Sequence, residues 1–347
     1  IFACQLTNKI SPSQIPIAHI SNSINNNFLI CCGLTKNCFI IQIVEGELKL
    51  KQIEIPDDIF VLGIVQSNLD HIFAFLIRKP NDEKLIIYVD ISGESFQIIK
   101  EISVPKDTYQ IISIKQGGSL FYFTNSSLHV IDNDFSLQMS HITTYIHLTP
   151  SYLLIQNTQG ETYGINTDNF SVAVHGALPI SSHFTLLSQN LLLSVSESGG
   201  SFIFTLPTDN LDFQFANLMN LVIPLSPRLR AAVFDKNHII TASGMGTQSV
   251  LTQITNTLPF HSETIAQIDL EQFDISTIKL FAVNNETFVI SDSEHSEVLL
   301  GNCDYICTTS PTLLIKYIQD RIVQICRDRI ISFPISQPKE EDIITYT

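Results

Sequence analysis

Apolar positions along the chain come in short bursts. Runs of roughly four to seven β-branched and aromatic residues are bounded by Asn, Asp, Ser, Gly or Pro, the pattern of strands separated by turns. Phe28–Cys32, Phe39–Val44, Phe60–Val65, His71–Ile77, Leu85–Asp90, Gln110–Ile114, Ile142–Leu148 and Ser171–His175 are of this kind. Helical spacing is nearly absent: no window of about 12 residues carries an i, i+3, i+4, i+7 stripe. Several hairpins share a wording. Ser119–Phe123 turns through Thr124-Asn125-Ser126 into Leu128–Ile131, and Tyr152–Gln156 turns through Thr158-Gln159-Gly160 into Thr162–Ile165. Leu191–Val195 turns through Ser198-Gly199-Gly200 into Ser201–Leu206. In each, a mostly apolar strand, as expected for one buried on both faces, precedes an alternating one. Gln116-Gly117-Gly118 supplies further positive-φ glycines, and Asn81–Lys84 and Asp132-Asn133-Asp134 read as polar hairpin tips.

The most distinctive stretch is Leu221–Ile254, which reads as strand, turn, strand, glycine loop (Gly244-Met245-Gly246), strand. Counting strands to about residue 265 gives roughly 26 to 28, or six to seven four-stranded blades, far more than one sandwich holds. The expectation is an all-β chain: a seven-bladed WD40-like β-propeller over 1–265, with Thr264–Leu270 carrying the chain across. The first blade or blades of a second propeller then occupy 266–334, and 335–347 is a polar tail or unfinished strand. Leu206–Asn220 is the one long irregular passage. The Trp-Asp dipeptide of ordinary WD40 blades is missing, since the chain has no Trp.

Composition narrows the function classes. The 347 residues are 44% hydrophobic, enough for a large core, and the formal net charge is -15, from 19 basic and 34 acidic residues. Phosphate binding needs clustered Lys and Arg, so this balance argues against a nucleic-acid surface and against anionic membranes. The chain opens Ile1-Phe2 and reads as a piece of something longer. No apolar run approaches the roughly 18 residues that span a bilayer. The seven Cys are scattered, with Cys31 and Cys32 pointing to opposite faces of one strand, and read as buried free thiols.

Candidate chemistry is sparse. No two of the ten His share one strand face at i, i+2, and none lies in a zinc-protease motif, so no metal or cofactor is expected. Gly244-Met245-Gly246 lacks the third glycine and following helix of a dinucleotide fingerprint. The carboxylates of Asp292 and Glu294 read as a solvated turn. Arg321, Arg327 and Arg329 form the densest basic patch and are the candidate contact residues for an acidic partner. A plain solvated hairpin tip at Arg327-Asp328-Arg329 is the competing reading.

From about Tyr152 onward four short wordings occur in order. They are Leu191–Phe202 with its Ser-Glu-Ser-Gly turn, Leu225-Ser226-Pro227, Gly244-Met245-Gly246 followed by Ser249 and Leu251, and Thr308-Thr309-Ser310-Pro311-Thr312-Leu313. Asp320–Ile325 fits the strand that follows the last of them. Together they resemble the triple-propeller family of the large propeller subunit of splicing factor 3b. The large subunits of the cleavage and polyadenylation specificity factor and of the damage-specific DNA-binding protein belong to the same family. The Leu-Ser-Pro and Thr-Thr-Ser-Pro-Thr-Leu wordings favour the splicing branch. The chain departs from the family at Met245, Gln248, Thr252 and Thr255, where the family carries arginines around the glycine loop.

The resemblance implies a non-catalytic nuclear scaffold within the U2 particle, supporting branch-site recognition in pre-mRNA splicing. It implies as partners a HEAT-repeat subunit and a small subunit of splicing factor 3b and other U2 proteins, with little or no direct nucleic acid and no membrane. A propeller adaptor of the polyadenylation or ubiquitin-ligase type is the alternative. A propeller hydrolase is a third reading, disfavoured by the dearth of Asp, Glu and His inside the apolar strands.

Overall fold

The computed structural model describes residues 17–22, 28–33, 37–44, 47–67, 69, 71–93, 95–114, 119–149, 151–178, 180–188, 191–196, 201–205, 229–235, 238–244, 249–255, 261–269, 271, 273, 278–282, 287–292, 294, 296–300, 305–308, 312–318, 321–326, 330–334 and 344–346. Among these residues there is no helix, and the strands form eight antiparallel sheets. The first holds β1 (Ile17–Asn22), β2 (Phe28–Gly33), β3 (Asn37–Val44) and β4 (Glu47–Glu54). The second holds β5 (Phe60–Gln66), β6 (Ile72–Arg78), β7 (Lys84–Asp90) and β8 (Gln97–Val104). The third holds β9 (Gln110–Ser113), β10 (Leu120–Phe123), β11 (Ser127–Val130) and β12 (Ser136–Gln138). The fourth holds β13 (Ile142–Thr149), β14 (Tyr152–Asn157), β15 (Glu161–Asn166) and β16 (Ser171–Ala177). The fifth has β17 (Ser181–Ser188), β18 (Leu191–Ser196) and β19 (Ser201–Thr205). The sixth holds β20 (Leu229–Asp235), β21 (His238–Ser243), β22 (Ser249–Thr255) and β23 (Ser262–Ile268). The seventh holds β24 (Lys279–Ala282), β25 (Thr287–Ser291), β26 (Ser296–Leu300) and β27 (Tyr305–Thr308). The eighth holds β28 (Thr312–Ile318), β29 (Arg321–Cys326), β30 (Ile330–Pro334) and β31 (Ile344–Tyr346).

Every sheet is a meander in chain order, the unit of a β-propeller blade. The chain divides into two compact units, Cys4–His141 with Thr312–Thr347, and Ile1–Ala3 with Ile142–Pro311. In the first, β1 packs on β5 and β5 on β9; in the second, β13, β17, β20 and β24 pack in series. Neighbouring sheets thus meet through their first strands, as propeller blades do.

The repeat is clearest in the backbone. Six first strands carry a β-bulge near their start, at Ala18, Leu62, Thr143, Ser182, Arg230 and Leu313. A bulge inserts one unpaired residue and strengthens the local twist, which bends each strand at the same place. At one of them the Thr143 hydroxyl donates to the Gln156 carbonyl across the pair (3.2 Å).

The second strand of the sheet, which opens the hairpin, is the apolar one, as its wording predicts. Phe73 to Ile77 in β6 are fully buried, and β14 is buried at every position. The strand after β14 departs from the expectation: Thr162, Tyr163, Gly164 and Ile165 are all buried rather than alternating. Where apolar strands end, small polar side chains pin the turn. Thr124 and Ser127 share a hydroxyl contact at 2.8 Å, Ser296 donates to Ser291 at 3.0 Å, and the buried Gln156 amide donates to Thr162 at 3.0 Å. Such satisfied groups hold hairpin ends without the missing Trp. The turn before Thr162 uses Gly160 at φ 80°, where an added Cβ would lie 2.9 Å from the Leu178 carbonyl oxygen.

One boundary expectation changes. Thr264–Leu270 does not carry the chain across: as far as Ile268 it belongs to β23, paired with β22. By Ile268 the described residues form five four-stranded sheets and one of three strands. The tail contributes β31, which pairs with β30. The irregular passage Leu206–Asn220, the Gln116–Gly118 and Ser198–Gly200 turns, and Met245–Gln248 lie outside the described residues.

Candidate functional site

The second sheet is apolar on both faces. Phe73, Phe75, Ile77, Ile87 and Val89 pack with Cys38, Ile40 and Ile53 of the first sheet. Ala74, Leu76 and Ile86 pack with Ile111 and Leu120 of the third, and with Ile131. Strands of the second sheet are seven or eight residues long, whereas those of the third are three or four. The shorter sheet leaves the outer part of its neighbour's face half-covered. Tyr88, Ile102, Val104 and Tyr122 are accordingly only partly buried at the margin of this core. A groove of about 490 Å³ opens there, lined by Ile102, Ser103, Tyr122, Val130, Ile131 and the Asp132-Asn133-Asp134 tip.

A second bulge sets which residues of β8 form the wall. Tyr88 pairs with Lys100 and Val89 with Ile98, so Ile99 is the extra residue, and it is 49% exposed. The inserted residue reverses the alternation and brings Lys100 and Ile102 onto the face of Tyr88 and Ile86. β16 and β23 carry the same device at Ala173 and Ile265.

The tip is held by its own chemistry. Asp132 sits at φ 61°, a left-handed conformation that Asp and Asn tolerate best, and the Asn133 carboxamide oxygen accepts the Phe135 amide at 2.8 Å. The Lys100 ammonium donates to Asp132 Oδ2 at 2.6 Å and lies 5.5 Å from the Tyr88 ring centroid. Burial, and secondarily the Asp132 charge, push the Tyr88 hydroxyl up to about 12. Burial also pushes Tyr122 up. Its ring stacks on His129 across the β10–β11 pair, with centroids 4.9 Å apart. His129 Nε2 in turn lies 2.7 Å from Ser127 Oγ.

These groups suit binding better than chemistry. Both tyrosines are protonated at neutral pH, and Ser127, whose hydroxyl lies beside His129, is buried and engaged with Thr124. Among the described residues no group of three or more His, Cys, Asp or Glu is placed to hold a metal, and no helix is long and apolar enough to cross a membrane.

The sequence candidates are elsewhere. Arg321 opens β29, its backbone paired with Ile318 and Pro334, while Arg327 and Arg329 lie outside the described residues. Asp292 is not solvated as expected: it is 7% exposed, and its carboxylate accepts the Glu294 amide at 2.7 Å to close a turn. Gly244 takes φ 118°, so the glycine loop does use a conformation closed to other residues. Cys38 and Cys326 are buried and form no disulfide, as expected of these two. Sequence reasoning saw Asp132-Asn133-Asp134 only as a hairpin tip, because the groove needs two sheets of unequal strand length. No protein-family model matches the chain, and a comparison with curated proteins finds no match.

Proposed function

We propose that this chain is a non-catalytic scaffold that holds protein partners on the rims and outer strands of its blades. The carrying observation is the array of rigid four-stranded meanders whose outer strands are exposed along much of their length, as β8, β16 and β23 are. Rigid loops and protected edges suit a platform for several partners at once. Fold alone names no partner. The four ordered wordings around Leu191–Phe202, Leu225–Pro227, Gly244–Leu251 and Thr308–Leu313 support a propeller subunit of splicing factor 3b, acting in the nucleus within the U2 particle. The finer architecture belongs to this proposal: a seven-bladed first propeller over 1–265 and the opening of a second over 266–334. A contact role for Arg321, Arg327 and Arg329 belongs to it as well.

Affinity purification of the tagged chain followed by mass spectrometry tests the assignment. Recovery of a HEAT-repeat protein together with U2 proteins is the expected result. Recovery of a cullin or of polyadenylation factors moves the chain to the adaptor reading, and turnover on a hydrolase substrate panel sinks the scaffold altogether.

A further inference from the structure

We propose that the groove beside the Asp132-Asn133-Asp134 tip receives a basic, extended segment of a partner protein, laid along the edge of β8. The proposal uses only the second and third sheets and stands whether or not the splicing assignment does. β8 is the last strand of its sheet, and among the described residues no strand pairs with its outer edge. Such an edge offers a row of backbone donors and acceptors to an added strand. Edges of this kind are normally blunted, and here the bulge at Ile99 interrupts the row early, leaving Lys100–Val104 as its regular part. That part runs directly into the groove through Ile102 and Ser103.

Charge selects the occupant. The only charged residues lining the groove are Asp132 and Asp134. Lys100 already shows how a primary ammonium is held, between the Asp132 carboxylate and the Tyr88 ring. Asp134 has no ion-pair partner among the described residues. An incoming Lys or Arg side chain therefore pairs with Asp134 and competes with Lys100 for Asp132. A chain of net charge -15 attracts such a segment and repels nucleic acid.

The test is fluorescence anisotropy of a labelled Arg-Val-Arg-Val-Arg-Val-Arg peptide against the whole chain. Three controls accompany it: the Glu-for-Arg peptide, a version N-methylated on alternate residues, and an oligo-dT strand. Wild type binds the basic peptide and none of the three controls. The Asp132→Asn, Asp134→Asn double variant binds it about tenfold more weakly, and binding falls with salt. Lys100→Ala binds it several-fold more tightly, an outcome that a merely structural lysine does not produce. The altered side chains are exposed, so thermal melts should show all variants folded. Undiminished binding by the double variant overturns the proposal, as does weaker binding by Lys100→Ala or equal binding of the N-methylated peptide. Binding of oligo-dT in the peptide's place also overturns it.

Discussion

The second and third sheets share one topology and are built on opposite economies of side chain. In the second, long strands bury Phe73, Phe75, Leu76, Ile77, Ile86 and Ile87 completely, and the sheet is held by apolar packing on two faces. In the third, four-residue strands leave room for fewer apolar side chains, and the β10–β11 hairpin is pinned by Thr124, Ser127 and His129. Where a long blade lies beside a short one, the surplus face becomes a groove. The difference teaches that unequal strand lengths, with the Asp132–Asp134 tip as one wall, create the concavity.

The strongest way to break this comparison is at the apolar sheet. Phe75 is fully buried and meets Phe96 edge-on at 5.3 Å. Phe75→Ala should cost about 3–5 kcal/mol in chemical denaturation. A cost near that of a surface substitution would mean the second sheet is not held as described. Next comes the polar pin. Ser127→Ala removes the partner of His129 Nε2 and one contact of Thr124, whose hydroxyl keeps its bonds to the residue-127 backbone, and should cost about 1 kcal/mol, although it removes one oxygen. Ser103→Ala, at an exposed position of β8, should stay within about 0.5 kcal/mol. Equal costs for the two serines would erase the distinction between the sheets.

The margin between the sheets is probed by pH. Tyr88 has its hydroxyl raised from about 10 to about 12 in the folded chain, chiefly by burial. The folded state therefore holds that proton where the unfolded state has released it. The contribution is fully present below pH 10 and is lost as pH rises toward 12. Comparing the alkaline melting profiles of wild type and Tyr88→Phe should isolate this loss, with the variant showing the shallower decline. Identical profiles would place Tyr88 in open solvent. The smallest expected effect is at Lys100. Its bridge to Asp132 is exposed on both sides, so Lys100→Ala should change stability by less than about 1 kcal/mol, and the change should shrink with salt. A larger loss would make the bridge, rather than the apolar cluster beneath it, the tie between the two sheets.

Much of the fold was legible because burial on two faces forces an apolar run with polar ends. The run Phe60–Val65 anticipates β5, Tyr152–Gln156 anticipates β14, and Leu191–Val195 anticipates β18, each within a residue or two. β12 was not legible, since Ser136-Leu137-Gln138 is too short to show a period. Nor were the bulges. At β8 the letters around Ile99 show one alternation and the backbone follows two, changing phase at a residue whose side chain faces solvent. The crossing placed at Thr264–Leu270 failed for the same reason: exposed outer strands such as β23 lack the apolar face by which a strand announces itself. The groove was out of reach. Lys100 and Asp132 lie in different sheets, and only the packed structure shows that Lys100 reaches the tip.

The division of the chain bears on how it folds during synthesis. Each sheet is a local meander, so each can form soon after its own residues leave the ribosome. The unit begun by Cys4–His141 is different, because it also includes Thr312–Thr347. Its first three sheets emerge early and then wait while the whole of Ile142–Pro311 is made. During that interval the unit lacks its fourth sheet, β28 to β31. The vulnerable moment for aggregation, and for engagement by chaperones, therefore comes before the last strands are translated.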